Sequence, residues 1–238
     1  VSRYTDALVA RRRAESLLLR QDSANKIASV FNVFHPEHLD STFSNLADIT
    51  SKVVRRQRVT SSGLASNWTR DYRAAHGLSG EPPIDWSVTE FDEAHWTKNL
   101  HAQTVASVKN NVAKGLSIDG AMTRALTNVQ GMAIKWTLDS GRDLILDSVA
   151  RDKHSQGWRR VISGSKGCSF CTMLANRPQN YSKETAHFAS HDHCSCSCVP
   201  VYGGKAIEVD KKFEQTKRKI TDNQREQIRE YLKTHPTG

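Results

Sequence analysis

Two short stretches, Cys168-Ser169-Phe170-Cys171 and His191-Asp192-His193-Cys194-Ser195-Cys196-Ser197-Cys198-Val199-Pro200-Val201, hold all five cysteines of this 238-residue chain. A Cys-x-x-Cys turn presents two thiolates on the same side of a tight knuckle. A loop that returns with a second pair completes a tetrahedron, the arrangement that zinc takes with sulfur and nitrogen donors. The second stretch offers more donors than one ion needs. His191 and Cys194 are close enough to grip a single metal. If residues 194–198 run extended, their three cysteines point the same way and cannot all turn inward beside His191. The predicted ligands are therefore Cys168, Cys171, His191 and either Cys194 or Cys196. His187 and His193 read as surface histidines, and Cys198 as a small buried residue leading into a strand. A disulfide scaffold fits poorly: the cysteine number is odd and all five sit in one window beside histidines. Four protein ligands leave no open position for water, so Zn2+ would be structural, contributing about 10 kcal/mol to folding a small module.

Outward from the cluster, Trp158-Arg159-Arg160-Val161-Ile162 reads as a strand, and Val199-Pro200-Val201-Tyr202 as a second, at a sheet edge because of Pro200. Before residue 151 the pattern is helical. Leu8, Leu17, Leu18, Ile27 and Val30 mark a first helix, and residues 36–57 a second, with Leu39, Phe43, Leu46 and Val53 inward. Ser61-Ser62-Gly63 reads as a break before a third piece, 64–76, whose Trp68 and Tyr72 pack four residues apart. Residues 77–88 are the clearest loop, with Gly77, Gly80, Pro82 and Pro83. A helix over 92–114 would end at Gly115, Ser117 would cap another through Trp136, and a further one would span about 139–150. After Gly203-Gly204 the tail returns to helix, with Thr221-Asp222-Asn223-Gln224 as a capping box. The expected fold class is mainly α: a helical N-terminal domain (1–150), a small α+β zinc-knuckle module (151–204) and a C-terminal helical tail (205–238).

Lys and Arg number 34 against 25 Asp and Glu, a formal charge of +9. Such a balance favours acidic partners, nucleic acid among them. The excess concentrates in residues 51–73 and 151–183. No window approaches the roughly 18 apolar residues that a membrane helix needs. The first 20 residues carry Arg3, Arg11, Arg12, Arg13 and Arg20 and no apolar core, so no secretory signal is expected there. The chain has no His-Glu-x-x-His, no Gly-x-Ser-x-Gly and no phosphate-binding Gly-x-x-x-x-Gly-Lys-Ser/Thr.

Gly157-Trp158-Arg159-Arg160-Val161, Cys168-Ser-Phe-Cys171-Thr-Met-Leu-Ala175, Tyr181-Ser182, His191-Asp-His-Cys194-Ser-Cys196 and Val199-Pro200-Val201, taken in order, resemble the C-terminal module of MuF-like phage head morphogenesis proteins. These are minor capsid proteins, and this version resembles those of phages infecting actinobacteria. The likeness covers residues 157–202, and Cys198 departs from the family pattern. It implies a component of the virion or procapsid interior, present in the host cytoplasm during assembly. Its partners would be the portal and the major capsid or scaffold proteins, with packaged DNA as a further partner for the basic surface, and no membrane. Relatives are often labelled capsid maturation proteases, which makes processing of capsid or scaffold protein the alternative function. The residues show no Ser–His or Cys–His arrangement that supplies such chemistry, and no catalytic residue is assigned. A nuclease of the His-metal finger kind is a third reading, but its Asn and second metal-binding His are not identifiable.

Overall fold

The computed structural model describes residues 3–164, 169–176, 181–183 and 188–203, with Thr221 and Glu226. The capping box at 221–224, the tail helix, Cys168 and His187 therefore fall outside the described residues or largely so. Three long helices form the body: α1 (Arg3–Val30), α2 (Leu39–Ala75) and α5 (Ile118–Arg151). Each packs against the other two. Between α2 and α5 the chain runs through α3 (Glu93–His101), which packs on α2, then a π-helical turn (Ala102–Ala106) and α4 (Ser107–Ala113), which pack on α5. Asp92 caps α3 by accepting the His95 N–H at 2.9 Å, and Gly115 ends α4 with φ +88°. Ser117 caps α5 as its position predicts, accepting from the Gly120 N–H.

Two expected interruptions are absent. Ser61-Ser62-Gly63 lies inside α2, and the two helices expected over 117–150 are one. The small residues are there for proximity. Ser61 and Ser62 are buried, and the Ser62 hydroxyl bonds the Arg58 carbonyl of its own helix at 3.0 Å. Across from them, a Cβ on Gly141 of α5 would stand 2.8 Å from the Arg12 guanidinium and 2.9 Å from the Ser61 carbonyl oxygen. Glycine and serine thus mark where α1, α2 and α5 approach most closely. The cost of about 1 kcal/mol for a glycine in a helix is offset by the packing that its missing side chain admits.

The buried stripe of α1 also departs from expectation. It runs Thr5, Leu8, Arg12, Ser16, Leu19, Ser23 and Ile27, at steps of three and four, while Leu18 is 71% exposed. Four of these seven positions, Thr5, Arg12, Ser16 and Ser23, carry polar residues where a periodicity search would seek apolar ones.

After α5 the chain enters β1 (Ser155–Val161), α6 (Ser169–Ala175) and β2 (Ser197–Tyr202). The strands pair antiparallel, with Trp158 opposite Pro200 and Arg160 opposite Cys198. On its other side β1 is bridged by Tyr181, whose backbone exchanges both hydrogen bonds with Trp158. Pro200 has no N–H to give, and it faces the residue whose backbone groups are used on the far side. Gly157 sits at φ +136° because Tyr181 crosses it closely; a Cβ there would lie on the Tyr181 carbonyl oxygen. One core cluster runs from Leu8, Trp68 and Leu144 of the helices into Trp158, Cys171, Phe188 and Val199 of the small module. A second surrounds Trp96 at the other end of the bundle. The whole is mainly α-helical with a small two-stranded sheet, as the pattern of residues predicts.

Candidate metal centre

Cys171 projects from α6, and Cys194 from the turn before β2. Their sulfurs are 3.5 Å apart. His191 brings a ring nitrogen within 4.8 Å of both, so these three donors share one small volume. Both cysteines are buried, and His191 is on the solvent side. Cys196 is also buried and is in hydrogen-bond contact with both thiols. Of the predicted ligands, then, Cys171, His191 and Cys194 come together, Cys196 stands beside them, and Cys168 lies outside the described residues. Cys198 is elsewhere: fully buried in β2, its sulfur 3.7 Å from the Arg142 carbonyl oxygen. Burial pushes its thiol up to about 12, so it stays neutral, as expected of a packing residue.

The donor set suits a metal of zinc's type. Thiolates and imidazole are the borderline-soft ligands of structural zinc. The Nδ1 of His191 lies 2.6 Å from the Asp192 carbonyl oxygen. A carbonyl only accepts, so Nδ1 carries the proton and Nε2 keeps its lone pair, the tautomer a ligating histidine needs. The sulfurs favour one thiolate. Hydrogen bonds from Cys171 and Cys196, helped by the Arg142 charge, hold Cys194 well below the usual thiol range. Cys171 is displaced upward by its hydrogen bonds to Cys194 and Cys196. A divalent cation would relieve this competition by taking the place of the shared protons.

Two buried arginines hold the ligand-bearing segment. Arg142, on α5, donates from Nε and Nη2 to the Cys196 carbonyl at 2.9 and 2.7 Å, and from Nη2 to the Cys194 carbonyl at 2.8 Å. Its Nη1 pairs with Asp139 at 2.6 Å, and Asp139 also accepts the Ser190 hydroxyl. Arg160, on β1, donates to the Ala189 carbonyl at 2.8 Å and approaches the Cys171 sulfur at 3.7 Å. Phe188 lies against both guanidinium groups, 4.8 Å from that of Arg142 and 3.7 Å from that of Arg160. Arg12, on α1, reaches the Ser197 hydroxyl at 3.3 Å. His193 does not join the cluster. It takes a left-handed conformation, φ 65°, and donates its backbone N–H to the Gly131 carbonyl.

None of Arg12, Arg142, Asp139 or Gly131 stood out by residue type. Arg142 had a positional signal: Leu138, Arg142, Ile145 and Val149 follow one another at helical spacing, and only the arginine breaks the apolar run.

These features define a three-helix body carrying a small Cys/His module, pinned to it by buried arginines. The chain matches the VG15 protein family over residues 3–227, and it belongs to that family, a family of phage gene products. No curated protein and no solved structure matches it. Among the described residues, no helix is long and apolar enough to cross a membrane.

Proposed function

We propose that this chain is a MuF-like minor capsid protein that acts in procapsid assembly near the portal, and that its Cys/His cluster is a structural zinc site. The observation that carries this reading is the ordered set within 157–202, in a chain matched to a phage family over almost its whole length. Cys171, His191 and Cys194 of that set converge in space, with the interval between them closed by Arg142 and Arg160. In this role the metal ties α6 to the start of β2 and supplies rigidity. The chain's own residues orient the donors, bury the two sulfurs and leave His191 on the solvent side. The helical body is the surface offered to the portal, the capsid or the scaffold, and its basic residues suit a compartment that fills with DNA.

Quantitative peptide mass spectrometry on empty procapsids and on DNA-filled particles tests the role. A few intact copies in both are expected. Absence from both would overturn it. Loss or self-cleavage on maturation would replace it with the protease reading.

A further inference from the structure

Away from the Cys/His cluster, one concave site is built from side chains that the metal centre leaves unused. It is a groove of about 350 Å3 between the middle of α1 and the middle of α5, with His193 in its wall. That volume is at the small end of ligand sites, about 300–1,000 Å3. Leu17, Ala24 and Ile134 give it an apolar floor, and Arg20 and Gln130 supply polar groups.

Arg20 is exposed, and no carboxylate of the described residues pairs with it. Its helical neighbours at three and four residues are Ser16, Leu17, Ser23 and Ala24, so α1 provides no partner either. Gln130 donates its Nε2 to the Ala24 carbonyl at 3.0 Å, which fixes the amide and leaves its Oε1 as an acceptor. His193 is held in the wall. Its backbone bonds to Gly131, and its ring lies so close that a Cβ on Gly131 would be 2.4 Å from Nε2. A non-glycine residue in the left-handed region is uncommon, and His193 is the only one among the described residues. The groove thus presents a guanidinium fork, an imidazole and an amide acceptor above aliphatic carbon.

That combination selects its ligand. The fork takes one carboxylate bidentately. The apolar floor takes a short methylene stem, and Gln130 Oε1 takes an N–H donor such as a peptide amide. A phosphate fits less well. Phosphate sites use free backbone N–H groups at helix N-termini, whereas residues 17–24 and 130–134 lie mid-helix with those groups already bonded. We infer that the α1–α5 groove binds an acidic side chain of glutamate type, presented on a peptide segment of a partner protein.

The test uses the full-length chain and nuclear magnetic resonance titration with three probes. These are N-acetyl-glutamate N-methylamide, its neutral glutamine counterpart and inorganic phosphate. The glutamate probe is expected to shift the signals of residues 17–24, 130–134 and 193 saturably. The glutamine probe should bind at least tenfold more weakly. Arg20→Gln should weaken the glutamate probe at least tenfold with an unchanged melting temperature, because Arg20 is exposed. Arg20→Lys should retain part of the affinity. Equal binding of the two amino-acid probes, no saturable shift, or tighter binding of phosphate at the same residues would each overturn the assignment.

Discussion

Arg142→Met is the perturbation that most directly tests how the module is held. Methionine keeps much of the length and volume of arginine but none of its donors. The change deletes three hydrogen bonds to the carbonyls of Cys194 and Cys196 and the ion pair with Asp139. Arg142 is 1% exposed, so the carbonyls it leaves behind gain little access to water. Hydrogen bonds to a charged group contribute about 1.5–3 kcal/mol each, but these four share one guanidinium and do not add. Removing one partner of a buried charged network costs about 3–5 kcal/mol, which sets the expected loss. For a domain of this size that corresponds to a fall in melting temperature of about 6–20 °C. Residues that orient metal ligands also change affinity by roughly 10–100-fold when lost. Zinc affinity, measured by competition with a chromogenic chelator, should therefore fall alongside the melting temperature followed by circular dichroism. Arg13→Met, at an exposed position of α1, is the control and should stay within about 0.5 kcal/mol of the parent. A melting temperature within about 2 °C of the parent, equivalent to roughly 0.5–1 kcal/mol, with unchanged zinc affinity, would refute the role given to Arg142.

Trp68 is fully buried and donates its indole N–H to the Leu8 carbonyl at 2.7 Å, so Trp68→Ala should cost about 3–5 kcal/mol in urea unfolding. A loss below about 1 kcal/mol would place the ring outside the core. Cys171→Ser and Cys194→Ser should each abolish stoichiometric zinc in elemental analysis, whereas Cys198→Ala should keep it, because the Cys198 sulfur faces Arg142 and not the other donors. Zinc retained in both serine variants would remove the cluster as a metal site. Burial works to raise the Asp152 carboxyl, but hydrogen bonds from the His154 N–H and Arg73 outweigh it and hold the group below the ordinary aspartate value. Its contribution is present above the unfolded value of about 3.9 and is lost as pH falls through the lower folded one. Asp152→Asn should therefore flatten the acid limb of a stability–pH curve, and an acid limb identical to the parent's would contradict this.

The helical class, the loop over 77–88, a helix start near Asp92, the cap at Ser117 and both strands were legible in the residues, because each has a local cause. Turn glycines, capping oxygens and apolar spacing act within a few residues of themselves. The clustering of Cys171, His191 and Cys194 was legible for a related reason, since few chemistries need those residue types so close together. Three things were not legible. The continuity of α2 and α5 across Ser61-Ser62-Gly63 and 137–141 depends on close contact with other helices, and a small residue is written identically whether it breaks a helix or lets two meet. The inward face of α1 is polar because Arg12 serves Ser197, a partner 185 positions away. The convergence of Cys194 with Cys171 and His191 depends on how a turn is pinned from α5, which no spacing within 191–198 encodes.

The bond from Arg12 to Ser197 also carries a consequence for how the molecule folds. The two partners are 185 positions apart, so the segment holding β2 must be synthesised and brought back to α1 before Arg12 and Arg142 find the groups they bond. Until then Arg12 and Arg142 lack the partners that β2 and its preceding turn provide. A metal that binds the closed cluster adds its free energy at that step, stabilising only chains in which α1 and β2 have met. The cluster therefore acts as a latch on long-range closure: a chain in which α1 and the turn before β2 have not come together gains nothing from the metal.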